Sequence, residues 1–587
     1  MHRLAAHAVF AVFAALAVVA LAGLGVLAVV PPTAAQAPAA QAPAAQAPAV
    51  QAPAVSPVTD ALLADPPPES WLNWRRTRDG WGHSPLDQID RDNVGQLRLA
   101  WSWAMETGTQ QTTPIVHEGV MYLASPGNVV HALDAATGDL LWEYRREFPT
   151  GRGSSRPSRN IAIHRDKIIL NTADANIVAL DVRTGEVVWE TDVADTAKGY
   201  AYTSGALVAR GTVISGMAGC LRFWEEGCFI TGHDADTGRE LWRTSTVARP
   251  GEPGGDTWGD LPMMFRGGGD AWIAGSYDAD LGLTFWGVAQ AKPWAQVSRR
   301  TDADALYTSS TLALDPETGE MRWYFQHLPG ESHDMDETFE RILVDVDGRP
   351  SVFTMGKLGI LWQLDRRTGQ FINATDLGYQ NLVDIDPETG RMSFRPGMVP
   401  VLDEELAFCP SHSGLKSWRA MAYSPETEAF YIPVTLNCQR SIYSDVEWRE
   451  GGGGAGMVFR ENFLHPDSGG NLGEFVAMHV SGEILWSHRK RTPYMSAALT
   501  TAGGLTFVGT FDRRVYAYDV RTGEELWVTR LPTSVQGFPV TYAVDGRQYL
   551  AVGTGTTGGS WTTIPLELTP EKRRPSGGNG LFVFALP

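Results

Sequence analysis

The chain has 587 residues, 43% of them hydrophobic, with 62 Gly, 20 Trp and a formal net charge of −19. This composition excludes a disordered polymer, and the excess of acid argues against a nucleic-acid surface, which needs clustered Lys and Arg. A basic partner or a small neutral substrate is compatible with it.

At the N-terminus, Leu4 to Val30 is apolar apart from His7. The run exceeds the core of an ordinary signal peptide and is long enough to span a bilayer, while the small residues of "PTAAQA" suit a signal peptidase. Residues 1–30 are therefore expected to be an export signal or a membrane anchor, with the remainder periplasmic, either free or tethered to the inner membrane. Residues 31–66, which begin with Ala/Pro/Gln repeats, read as an extended linker with no core of its own.

Residues 67–587 carry a repeat. An Asp, then Thr-Gly, then a Trp eight positions after the Asp, recurs at Asp134 to Trp142, Asp181 to Trp189, Asp234 to Trp242, Asp315 to Trp323 and Asp519 to Trp527. Weaker copies are "QLDRRTGQFIN" and "AMHVSGEILW". Each follows a short apolar strand such as "NIVAL", so the unit is strand, tight turn, strand, with Gly supplying positive φ and Asp bonding the turn backbone. Spacings of roughly 40 to 50 residues are those of a four-stranded propeller blade. In the two longer gaps, "SYDADLGLTFWG" and "AYSPETEAFYIP" read as inner hairpins of enlarged blades. The terminal "LFVFALP" and the early "LRLAWSWAM" read as two halves of an eighth unit, whose pairing removes two open sheet edges. The expected fold is all-β, an eight-bladed propeller with tryptophan-docking motifs, closed by its N- and C-terminal strands. The repeated Trp residues are scaffold.

The four cysteines, Cys220, Cys228, Cys409 and Cys438, suit an oxidising compartment and two local disulfides. Cys220 and Cys228 admit a disulfide across a short excursion, or a free thiol beside a site. Neither CxxC nor CxxCH occurs, so the sequence carries no attachment motif for a covalent c-type haem.

Chemistry is expected where the blade pattern is interrupted: "RNIAI", "GMAGC", "GGGDAWIAGSYD", "GVAQAKPW", "PGESHDMDETFE", "GKLGILWQLDRRTG" and "CPSHSGLKSWRAMAY". In these motifs, and from about residue 71 to the C-terminus, the chain resembles the quinoprotein alcohol dehydrogenases, propeller enzymes that hold pyrroloquinoline quinone (PQQ) and a metal ion, Ca²⁺ or a lanthanide. The resemblance implies that Trp272 lies flat against the quinone, that Arg159 pairs with a quinone carboxylate, that Thr203 is a polar cofactor contact, and that Lys357 faces the quinone oxygens. Gln111 stands where some members have glutamate, Ser417 where asparagine is common, and Gly219 in the motif preceding Cys220; these complete the cofactor-binding set. Cys409 and Cys438 match a disulfide of the family.

Asp334 matches the catalytic aspartate, which takes the hydroxyl proton while hydride passes to the quinone, and is also a metal ligand. Asp336 stands where lanthanide-using members add a carboxylate. On a strand, i and i+2 would share a face and meet one cation, whereas an acidic turn solvated at a blade tip is the bland alternative. Gln290 stands at the metal-binding asparagine. At the metal-binding glutamate the chain has Cys220 and Leu221, neither of which is a hard oxygen ligand; Glu225 or Glu226 is the nearest substitute. The function so implied is oxidation of a small-molecule alcohol or related hydroxyl compound, with electrons passing to a separate acceptor such as a cytochrome c. The lost glutamate supports an alternative, a non-catalytic propeller serving as a binding or assembly module at the membrane.

Overall fold

The computed structural model describes residues 52–148, 156–555 and 559–587, without the side chains of 559–561. The expected export or anchor segment and the start of the linker lie outside these residues. The end of the linker is packed rather than free. Val58 bridges to Arg165, Leu63 is buried, and Asp60 opens a short helix, Asp60–Ala64, while its carboxylate meets the Arg78 guanidinium at 2.5 Å.

Among the described residues, eight sheets contain a run of four antiparallel strands. Seven are sequential meanders, such as Ala162–His164, Lys167–Asn171, Asn176–Asp181 and Val187–Asp192. One of these, beginning at Leu499–Thr501, gains His83–Ser84 as a parallel edge. The eighth joins the two ends of the chain. Arg98–Ala104 pairs antiparallel with Gly580–Ala585, Trp101 opposite Val583, and closes the ring as the sequence predicts. The inner hairpins expected in the long gaps are present as Ser276–Asp278 with Leu283–Gly287, and Ala422–Ser424 with Ala429–Thr435.

The repeat works by handing each Trp to the next turn. In "DVRTGEVVWE", Asp181 Oδ1 accepts from the Arg183 and Thr184 amides, both at 2.9 Å, which fixes the turn. Gly185, at φ +71°, is then so close to the Trp142 ring of the preceding sheet that a Cβ there would lie 2.5 Å from it. Trp142 Nε1 donates to Val182 O at 3.0 Å. Trp101 makes the equivalent bond to Ala135 O at 3.2 Å, across the closure. A wide ring with one polar edge seals the seam and bonds the neighbouring turn, which is why Trp is retained at this place. "DPETG" at Asp386–Gly390 has the turn without the Trp, and it forms a separate two-stranded hairpin, Val383–Ile385 with Met392–Phe394.

The inserted segments also build a three-stranded sheet outside the blades, Glu405–Phe408, Asn437–Tyr443 and Met457–Leu464. Both expected disulfides form, Cys220–Cys228 and Cys409–Cys438, so the free-thiol alternative is not realised.

Candidate active site

Gln111, Arg159, Thr203, Trp272, Asp334 and His412 each come from a segment leading into the first strand of a sheet. In consecutive meanders those entries lie at the same end of the ring, so residues separated by 300 positions converge. They line one cavity of about 600 Å³, together with Gly219, Leu221, Asp270, Gln290, Lys292, Asp336 and Lys357. Ser417 is fully buried but is not part of this wall.

The acidic pair is buried, 7% exposed at Asp334 and 4% at Asp336, which overturns the solvated-turn alternative. The strand argument also fails. The segment is irregular and Asp334 has φ +68°, a conformation that costs a non-glycine residue energy. What unites the two carboxylates is Lys357: Nζ lies 3.0 Å from Asp334 Oδ2 and 2.8 Å from Asp336 Oδ2, and donates to Asp334 O at 2.8 Å. Gln290 Nε2 donates to Asp334 Oδ1. Burial drives the Asp334 carboxyl well above the usual range; Lys357 opposes this, and the neighbouring Asp336 and Glu331 charges add to it.

Arg159 lines the same cavity. Its guanidinium lies 4.7 Å from the Trp272 ring centroid and donates to Thr203 O at 3.0 Å. It is buried with Nε unpartnered, and burial alone brings its pKa down to about 9. Trp272 is braced edge-on by Phe339, ring centroids 5.4 Å apart. Gln111 is buried with both polar side-chain atoms unsatisfied. A buried cation and an orphaned amide beside a partly buried aromatic ring that lines the cavity are the groups a planar polyanion would satisfy, so the quinone fits. A hard cation fits in part. Asp336 Oδ1 and Gln290 Oε1 are buried oxygens without partners next to the Asp334 carboxylate, but Leu221 offers no ligand. Neither Glu225 nor Glu226 substitutes for it: both are exposed, and Glu226 pairs with Lys198.

Two pairs in the wall escaped the sequence reading. Pairing of Gly267–Gly268 with Ala291–Lys292 brings Lys292 to Asp270, Nζ to Oδ2 2.7 Å, and Asp270 Oδ1 also accepts from the Gly219 and Cys220 amides at 2.7 and 3.0 Å. Burial pushes the Asp270 carboxyl up, but Lys292 and these amides outweigh it and hold it low. The available signal was one charge in each of two apolar motifs, "GGGDAW" and "AQAKPW". The second pair is His412 with Arg460, Nη1 donating to Nε2 at 2.9 Å, under Trp294, whose ring stacks on His412 at 27°. No local pattern announces it.

Comparison with known proteins agrees with this geometry. Residues 71–376 and 471–550 match the family described as "PQQ: Glucose/ethanol/alcohol dehydrogenase, beta-propeller domain". The chain is 33% identical over 547 residues to the quinohemoprotein alcohol dehydrogenase ADH-IIG of Pseudomonas putida, covering 86% of this chain and 74% of that protein. It is 31% identical over 565 residues to the quinoprotein ethanol dehydrogenase of Pseudomonas aeruginosa, covering 86% and 88%. A solved europium-containing methanol dehydrogenase superposes with a TM-score of 0.83 at 27% identity, over 90% of this chain and 100% of that one.

Proposed function

The chain belongs to the PQQ-dependent alcohol dehydrogenase family, and on that premise we propose that it oxidises an alcohol or related hydroxyl compound with PQQ and a Ca²⁺ or lanthanide ion. The observation that carries this is the buried Arg159 beside Trp272, without a carboxylate partner among the described residues, in the same cavity as the Asp334–Lys357 pair. Arg159, Thr203, Gln111, Gly219 and Trp272 would hold the quinone, Arg159 by its charge and Trp272 by its aromatic ring. Asp334, Asp336 and Gln290 would hold the metal ion. When bound, the quinone supplies the two-electron acceptor that no side chain provides.

The protein's own residues do the rest. Asp334 accepts the substrate hydroxyl proton, which requires it to be ionised, and Lys357 is the fixed charge that favours that form against burial. Gln290 orients the same carboxylate. Walls of Trp272, Trp294 and Leu221 exclude water and strengthen these contacts. We assign residues 1–30 to export or anchoring, 31–66 to a linker that ends docked on the propeller, and 67–587 to the propeller itself, in the periplasm. Electrons leave to a separate acceptor such as a cytochrome c.

Titrating the metal-stripped protein with PQQ, alone and with Ca²⁺ or La³⁺, tests this through quinone absorbance and quenching of tryptophan emission. Saturable binding that one metal tightens is expected. No binding under any condition would leave the propeller as an assembly module.

A further inference from the structure

The cavity is richer in cations than in anions, on a chain whose formal net charge is −19. Its three carboxylates are all committed to ammonium groups: Asp270 to Lys292, and Asp334 and Asp336 to Lys357. Three guanidiniums remain, Arg156, Arg159 and Arg460, and none of them has a carboxylate within ion-pair distance among the described residues. Arg159 is buried and the other two are partly buried; a guanidinium left without a counter-ion in the wall of a cavity can accept a ligand that brings one.

The three divide by position. Arg159 lies over Trp272, in the wall assigned to the quinone, and Arg156 stands three residues earlier in the same segment. Arg460 belongs to the reacting side. It donates to His412 Nε2 at 2.9 Å, and the His412 loop packs on Lys357, which is bonded to Asp334: a Cβ on Gly414 would lie 2.5 Å from the Lys357 side chain. His412 is buried and its Nδ1 bonds Gln439 Oε1, which leaves Nε2 as an acceptor. The imidazole therefore orients the guanidinium without neutralising it. Arg460 also sits on Met457–Leu464, an inserted strand that belongs to no blade, so the propeller scaffold does not require a cation there.

Taking the quinone-dependent function above as given, we propose that Arg460 binds a carboxylate of the substrate, and that the alcohols oxidised are hydroxy acids. The carbinol faces Asp334, and the acid group reaches Arg460 beside the apolar Trp294 and Leu221. The carbinol loses its C–H hydrogen with both electrons to the quinone and its hydroxyl proton to Asp334, giving the oxo acid; the carboxylate is bound and not consumed.

A carboxylate at Arg460 has two sources, substrate or quinone, and the test separates them. In the PQQ-loaded, metal-loaded enzyme, kcat/KM is measured for short hydroxy acids and their neutral methyl esters, in the wild type, Arg460→Gln and Arg460→Lys. PQQ affinity is measured in the same proteins by tryptophan quenching. A charge-assisted bidentate contact predicts a wild-type preference for the acid of about 10- to 100-fold, lost in Arg460→Gln mainly through KM. Arg460→Lys should keep part of it, and malonate should inhibit the wild type competitively against the acid. Equal kcat/KM for acid and ester would overturn the proposal while leaving PQQ-dependent turnover intact. Weakened PQQ binding in Arg460→Gln with an unchanged acid-to-ester ratio would assign Arg460 to the cofactor instead. Failure of the wild type to bind PQQ would overturn both this and the function on which it rests.

Discussion

Lys292 Nζ lies 2.7 Å from Asp270 Oδ2 in the cavity that also contains Asp334 and Asp336, and the two side chains are only 12% and 6% exposed. Buried ion pairs are costly to break from one side, because the survivor keeps its desolvation penalty. Lys292→Met or Asp270→Asn alone is expected to destabilise the protein by about 3 kcal/mol or more, and the double variant by less than the sum. Denaturant unfolding of the four proteins measures this. Strict additivity would mean that the two groups do not interact.

Asp334→Asn keeps the shape and removes the proton acceptor. Its kcat with an artificial electron acceptor should fall by about 10²-fold or more, with PQQ affinity little changed. Steady-state kinetics and quinone titration provide the two readouts. Wild-type kcat would remove Asp334 from the chemistry.

Asp336 Oδ1 is a buried oxygen without a partner, and an added carboxylate favours a trivalent ion more than a divalent one. Asp336→Ala should lower the La³⁺ to Ca²⁺ affinity ratio by about 10-fold. Metal competition followed by quinone absorbance measures it; an unchanged ratio would place Asp336 outside the metal's reach.

Glu331, fully buried, is pushed from 4.5 up to about 7 by burial, against two backbone N–H donors from His333 and Met335. A carboxyl whose folded pKa is raised is more protonated in the native state. The stability it contributes is full below pH 4.5 and is lost as pH rises to about 7. Glu331→Gln should flatten that part of the pH–stability curve, by more than about 1 kcal/mol across it. Thermal unfolding from pH 4 to 8 tests this; parallel curves would show that Glu331 does not titrate there.

The propeller was legible because its instructions are local and repeated. Asp181, Gly185 and Trp189 sit within nine residues, and each acts on its own turn or on an identical neighbour, so the pattern carries both the blade and its docking rule. The closure was readable for the same reason, as the two halves of one motif. The site was legible only where a motif resembled a known family. The Asp334–Asp336 pair is such a case, and even there strand alternation was the wrong cause, because a left-handed Asp334 and the reach of Lys357 unite the carboxylates. Lys292 with Asp270, and Arg460 with His412, come from insertions that repeat nothing, and the members of each pair lie in separate stretches of chain. Whether such a charge is solvated or buried against a partner depends on which loops the closed ring brings together. The sequence by itself determined the ring and several of the residues that enter it; the tertiary structure alone decided which charges in the cavity are neutralised and which remain for a ligand, because burial and Coulomb energy depend on distances through space, not along the chain.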